Sequence, residues 1–292
     1  MKIMITGAGG QLGQDCLRVF GADHRVSALG HRELDITRQA SVAETVENIR
    51  PDLIINCAAH TGVDACESEK TLARELNISG PRFLVESAAR RGSLLVHIST
   101  DYVFDGQKPT AEGYAETDQP LPLSVYGKTK LAGEKAVSDE TEHHIILRTA
   151  WLYGSRGHNF LKTMLKLAYA DPDRQLKVVN DQFGSPTWTY RLAQQIKKLV
   201  EKNARGTYHA TAEGVCTWYD LAAYFLEKMN VPHRLVPCTS EEFPTAAVRP
   251  KNSILENRRM KEAGINIMAP WQDDVAQYAE QFAEQLLQSV AE

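Results

Sequence analysis

The chain has 292 residues, of which 43% are apolar and 24% charged, and its formal charge is −4. That is the composition of a folded globular protein. It excludes disorder, a collagen repeat and a disulfide scaffold, and it offers no basic excess to nucleic acid. At roughly 150 residues per domain, the length suits one large domain or two modest ones.

Strands and helices alternate through the first half. Lys2–Thr6 is predicted as a short β-branched strand that runs into a glycine turn. Gln11–Phe20 follows as a helix, with Leu12, Cys16, Val19 and Phe20 near helical spacing. Arg25–Leu29 is a strand, and Gln39–Ile49 a helix with Val42, Val46 and Ile49 on one face. Asp52–Ala58 is a continuous apolar strand, of the kind buried on both faces of a parallel sheet. Thr71–Arg91 is expected to be one long helix bent at Pro81. Leu94–Ser99 is a strand, Val125–Val137 a helix, Ile145–Thr149 a strand, Lys177–Val179 a short strand and Thr187–Lys202 a helix.

Such alternation implies right-handed crossovers and an α/β fold with a doubly wound parallel sheet. The second half is less regular, with helices expected at Gly157–Ala170, Trp218–Met229 and Trp271–Ser289. The expected division gives residues 1–150 and about 171–205 to a dinucleotide-binding domain. Residues from about 151–170 and 206–292 go to a smaller substrate lobe interleaved with it.

Cys16, Cys57, Cys66, Cys216 and Cys238 form no Cys-x-x-Cys pair. Neither a metal cage nor a disulfide framework is expected, and a reducing, cytoplasmic setting fits. No apolar run reaches the about 18 residues of a membrane span, and Met1 to Thr6 is too short for a signal peptide.

The first strand ends in Thr6-Gly7-Ala8-Gly9-Gly10-Gln11-Leu12-Gly13. Gly7 suits a tight turn, Gly10 a close backbone approach to a pyrophosphate, and Gly13 close packing of helix on strand. The free N–H groups and dipole at the helix start attract phosphate. Dinucleotide binding is therefore expected, although the spacing is Gly-x-x-Gly-x-x-Gly rather than the Gly-x-Gly-x-x-Gly of many dehydrogenases. The second strand ends Leu29-Gly30-His31-Arg32, with no acid at its tip to hold a ribose 2′-hydroxyl. Arg32 suits a 2′-phosphate, so NADPH is expected, with NADH as the alternative. Arg32 as a solvated loop charge is the plainer reading.

Tyr126 and Lys130 lie four apart, on one helical face. A lysine ammonium there is expected to lower the phenol's pKa, and such a tyrosine can pass a proton to a carbonyl oxygen as hydride arrives. Tyr224 and Lys228 share that spacing, so spacing alone discriminates nothing. Context does. Tyr126 follows a strand ending Ser99-Thr100-Asp101-Tyr102, and ligands of parallel sheets bind beyond strand carboxyl ends. Thr100, Tyr126 and Lys130 are therefore the candidate catalytic trio.

These segments resemble the extended short-chain dehydrogenase/reductases and, within them, the dTDP-4-dehydrorhamnose reductase family. The matching stretches are Gly7–Gly13, Leu34–Thr37, Asn56–Glu67, Ser99–Gly106, Tyr126–Lys130, Arg148–Gly154, Asp181–Thr187 and Arg249–Ser253. The resemblance implies a Rossmann-like fold and reduction of the 4-keto group of dTDP-4-dehydro-L-rhamnose, with the product destined for cell-surface polysaccharide. It makes Tyr126 the proton donor, Lys130 the residue that lowers its pKa and holds the ribose, and Thr100 the carbonyl-binding hydroxyl. It places Gln11 and Leu12 in the cofactor turn, Asp35 and Ile36 at the adenine, and Ala58, Ala59 and Thr61 along the cofactor. Asp101, Tyr102 and Trp151 become sugar contacts, with core packing the plainer reading of Trp151. Asn159 and Arg249 become diphosphate contacts, with a surface ion pair the alternative for Arg249.

Some members of that family are magnesium-bridged dimers. A homodimer is accordingly open, and Asp15 could be one ligand. No full acidic set accompanies it, so no metal site is expected.

Dehydratases and epimerases share this machinery. A 4,6-dehydratase carries an Asp-Glu pair after the threonine, whereas Thr100 is followed by Asp101 and Tyr102. Another reductase, an epimerase, or a non-catalytic regulatory subunit of the methionine adenosyltransferase type are the alternatives. The retained trio disfavours the last.

Overall fold

Each short β-branched run of the first half supplies one strand of a parallel sheet. The computed structural model describes residues 1–291. The strands are β1 (Lys2–Thr6), β2 (Arg25–Leu29), β3 (Leu53–Asn56), β4 (Leu94–Thr100) and β5 (His144–Thr149), joined by a sixth at Gly206–His209. Their order is Gly206–His209, β5, β4, β3, β1, β2, and every pairing is parallel.

Parallel neighbours need crossovers, and helices provide them. In chain order these are α1 (Gln11–Gly21), α2 (Gln39–Ile49), α3 (Val63–Ser68), α4 (Lys70–Arg74), α5 (Gly80–Arg91) and α6 (Val125–Glu140). The remainder are α7 (Phe160–Ala170), α8 (Thr189–Glu201), α9 (Trp218–Lys228), α10 (Arg258–Glu262) and α11 (Trp271–Ala291).

Alternation along β1 shows why both faces of the sheet are covered. Ile3 and Ile5 pack with Leu12, Cys16 and Phe20 of α1 and Leu192 and Ile196 of α8. Met4, between them, packs on the other face with Val42 and Val46 of α2 and Leu84 and Val85 of α5. The chain leaves β1 for β2 on one side and returns to β3 on the other. The crevice at the carboxyl ends of β1 and β3 is thus the topological switch point, where doubly wound sheets bind ligands.

A second core joins α7, α9 and α11 around Phe225, Tyr278 and Trp188. Gln175–Val179 belongs to it. This strand is longer than the expected Lys177–Val179 and pairs in parallel with Arg234–Cys238, burying Leu176 and Val178 against that core. Gly206–His209 conversely extends the main sheet past the expected boundary at 205. The two halves interleave more than the alternation pattern suggests.

Other elements also differ from expectation. Thr71–Arg91 is not one bent helix: α4 passes into a π-helical turn, Glu75–Ser79, and then into α5. Pro81 has no amide hydrogen to give the Asn77 carbonyl, so the wider turn falls there and Pro81 sits in the first turn of α5. The Gly157–Ala170 helix begins only at Phe160, because Asn159 caps it by accepting from Lys162 N at 3.0 Å. Thr187–Trp188 pairs with Leu152–Tyr153 before α8 begins. Among the described residues no helix is long and apolar enough to cross a membrane, and all five cysteines are free thiols.

Candidate active site

The turn after β1 is shaped as its glycines suggest. Gly7 has φ +64°, and a Cβ there would stand 2.6 Å from Ala58 N. A Cβ on Gly13 would collide with the Gly7 carbonyl oxygen and lie 2.7 Å from Ala8 Cα. α1 can therefore start directly on the turn. Gly10 precedes it as an N-cap without a side chain, leaving the first N–H groups to the space in front.

That space is a cavity of about 800 Å³. Gly7, Gly10, Gln11, Leu12 and Gly13 line one part of it, and Ile36, Ala58, Ala59 and Thr61 another. Arg32 is exposed and lies outside the wall, and its neighbours Gly30 and His31 take the position at the β2 tip. Glu33 is turned back, its Oε2 accepting from Gly30 N at 2.9 Å. Asp35 also lies outside the wall. Its carboxylate accepts from Thr37 Oγ1 at 2.7 Å and Thr37 N at 3.0 Å, which holds it below the usual carboxylate range.

Asn56 ties the strand ends together beneath the cavity. Its Oδ1 accepts from Thr6 Oγ1 at 2.7 Å and Ala58 N at 3.2 Å, and its Nδ2 donates to His97 Nδ1 at 3.1 Å. Burial pulls the His97 pKa well down, so the ring stays neutral.

Thr100, Tyr126 and Lys130 come together in the same cavity, all buried. Thr100 ends β4. Its hydroxyl donates to Asp101 Oδ1 at 2.9 Å and lies beside Tyr126 in the cavity. Tyr126 occupies the first turn of α6, which Ser124 caps through Gly127 N at 3.1 Å. Lys130, one turn on, donates from Nζ to the Ile98 carbonyl at 2.6 Å.

The expected acidic phenol is not found. Burial is the dominant influence and holds the Tyr126 pKa above its ordinary value, opposed in part by Thr100 and reinforced by the Asp101 charge. What is lowered is Lys130, brought down to about 8 by burial, with Glu134 opposing. Burial likewise pushes Asp101 up to about 6, and its Oδ2 has no partner.

The residues expected at the sugar and diphosphate divide. Tyr102 lines the cavity and meets Tyr126 edge-on, with ring centroids 5.6 Å apart. Trp151 lines it too, with a left-handed backbone at φ +49°, and stacks on Trp218 at 3.6 Å. Trp218 opens α9 and carries no signal in the sequence beyond the Thr217–Asp220 capping box before it. Arg249 lines the cavity and forms an ion pair with Asp64 at 2.7 Å, the alternative reading of this residue.

Asn159 lies outside the wall. Its amide donates to Gln11 Oε1 and to the Gly154 carbonyl, both at 2.9 Å, bracing α7 on the cofactor turn. Asp15 is buried and accepts from Thr189 Oγ1 at 2.5 Å. No acidic or histidine cluster suited to a metal occurs among the described residues. Tyr224 packs edge-on against Trp271, with Lys228 over its ring, away from the cavity.

Residues 1–284 match the family described as RmlD substrate binding domain. The dTDP-4-dehydrorhamnose reductase of Escherichia coli is 39% identical over 289 residues, covering 93% of this chain and 95% of that one. The crystal structure of a dTDP-4-dehydrorhamnose reductase from Clostridium acetobutylicum superposes with a TM-score of 0.93 at 41% identity, covering 97% and 99% of the two chains. That of the Bacillus anthracis reductase in complex with NADP gives 0.92 at 37% identity, covering 96% and 99%.

Proposed function

The chain belongs to the RmlD family, and we propose that it reduces the 4-keto group of dTDP-4-dehydro-L-rhamnose with NADPH, giving dTDP-L-rhamnose. The observation that carries this is the gathering of Thr100, Tyr126 and Lys130 into the cavity that the glycine turn also lines. The turn suits a dinucleotide: backbone closes behind Gly7 and Gly13, while the uncapped start of α1 faces outward to phosphate.

The cofactor, when bound, supplies a hydride to the keto carbon. Tyr126 gives its proton to the keto oxygen as negative charge develops there. A phenol kept protonated by burial is ready to donate at neutral pH. Thr100 directs its hydroxyl to the same oxygen. The Lys130 ammonium, beside them in the buried wall, stabilises the phenolate left behind and holds the ribose. With Glu33 turned back to Gly30, no carboxylate at the β2 tip lines the cavity; His31, which does, would lie nearest a 2′-phosphate.

The six-stranded half holds the cofactor. The lobe built on Gln175–Val179, Arg234–Cys238 and α9 brings Trp218 to the sugar nucleotide, alongside Trp151 and Arg249. Tyr102, held protonated by burial beside Asp101, offers no base to take a carbon-bound proton, which favours simple keto reduction over elimination.

The test is turnover across several 4-keto sugar nucleotides with NADPH and NADH, read as falling nicotinamide absorbance. Sustained oxidation of NADPH with dTDP-4-dehydrorhamnose is expected. An epimerase gives no net oxidation, and a binding subunit gives none at all; either result overturns the reading.

A further inference from the structure

Asp64 and Glu67 stand one turn apart on α3, the short helix that follows the cofactor-lining stretch Ala58–Thr61. Glu67 Oε1 accepts from Val125 N at 2.8 Å, fixing the start of the helix that bears Tyr126. Asp64 instead reaches the C-terminal part of the chain. Its Oδ1 accepts from Ala247 N at 2.9 Å and Arg249 Nη1 at 3.1 Å, and its Oδ2 from Arg249 Nη2 at 2.7 Å.

The loop so held buries Ala247, at 2% exposure, while side chains around it face solvent. Phe243 and Val248 are 60% and 63% exposed. Yet Arg249 lines the cavity beside Tyr102, whose ring edges onto Tyr126.

We propose that Asp64 is a positioning residue that straps the Ala247–Arg249 loop onto the cavity rim and sets the Arg249 guanidinium where the diphosphate of the sugar nucleotide arrives. The proposal rests on the reading of Arg249 as a diphosphate contact. A fork-shaped pair to Asp64 engages two of the five guanidinium hydrogens and fixes its plane. Nη1 also donates to the Ala247 carbonyl at 3.4 Å, and the Nε hydrogen remains for phosphate oxygens. The loop is then ordered before substrate arrives, so binding does not bear that ordering cost. α3 thereby joins three parts of the site: the cofactor stretch, the Tyr126 helix and the substrate loop.

The experiment uses enzyme saturated with NADPH and measures dTDP affinity by calorimetry, together with kcat and KM. Asp64→Asn should weaken dTDP and raise KM about tenfold, the worth of hydrogen bonds to a charged group, leaving kcat, NADPH affinity and melting temperature in place. Asp64→Glu, which keeps the charge pair, should recover most of the loss. Unchanged or tighter dTDP binding in Asp64→Asn overturns the proposal, because the carboxylate would then be idle or merely opposing phosphate. Loss of NADPH affinity or of melting temperature in step with KM also overturns it, marking a general structural role. Arg249→Ala separates the layers. If it leaves dTDP binding intact, the diphosphate reading of Arg249 fails. If it weakens dTDP while Asp64→Asn does not, only the strap fails.

Discussion

Glu134 on α6 and Arg148 on β5 meet as a forked pair, Nε to Oε1 at 2.9 Å and Nη2 to Oε2 at 2.7 Å, with both side chains 6% exposed. Ser99 of β4 adds a hydrogen bond to Glu134 Oε1 at 2.5 Å. The helix carrying Tyr126 and Lys130 is thus fastened to two strands one turn beyond the lysine. Leaving either charge alone in this place is severe, since a buried ion without its partner bears its full desolvation penalty.

Arg148→Met should therefore destabilise the fold by about 3–5 kcal/mol in urea unfolding. The double variant with Glu134→Gln should recover a large part of that loss. A single-variant effect below about 1 kcal/mol, the range of exposed pairs, would show that water reaches the pair.

Lys130 gives a pH signature of definite sign. An unfolded lysine keeps its proton to about pH 10.4, whereas burial lowers the folded one to about 8. Between these values the unfolded chain binds more protons, so this group's contribution to stability rises with pH across that window. Lys130→Met should abolish the rise, seen as a flatter stability profile from pH 8 to 10. Wild-type turnover should meanwhile decline above about pH 8 as the ammonium is lost. Superimposable stability profiles for wild type and variant would refute the assignment.

Gly13→Ala tests the cofactor turn. A Cβ there meets backbone atoms of Gly7 and Ala8, which cannot swing away as a side chain can. Overpacking of this kind costs about 1–3 kcal/mol, so NADPH affinity should fall roughly tenfold or more, measured by fluorescence titration. Undiminished affinity would mean that the turn does not contact the dinucleotide.

Which features the sequence displays follows from where their physics is local. The strand, turn and helix from Lys2 to Gly21 are legible because a positive-φ turn and a close helix approach demand glycine at fixed spacings. Thr100 and Tyr126 are legible because strand ends and the starts of helices are. Gly206–His209 is not, being four residues with a glycine and no apolar run. Nor is the pairing of Gln175–Val179 with Arg234–Cys238, which depends on a core assembled from distant helices. Asn159 has the side chain of both a cap and a phosphate contact, and only the fold shows it capping α7. The Tyr126 pKa is hidden for the same reason, because desolvation is set by everything packed around the phenol rather than by the lysine four residues away.

The most direct test is Tyr126→Phe, which keeps the ring and its edge contact with Tyr102 while removing the hydroxyl. Turnover of NADPH with dTDP-4-dehydrorhamnose and NADPH affinity are measured on the same sample. A fall in kcat of about 10²–10⁴-fold is expected, with cofactor affinity held. Near-normal turnover would show that the proton reaches the keto oxygen from another group.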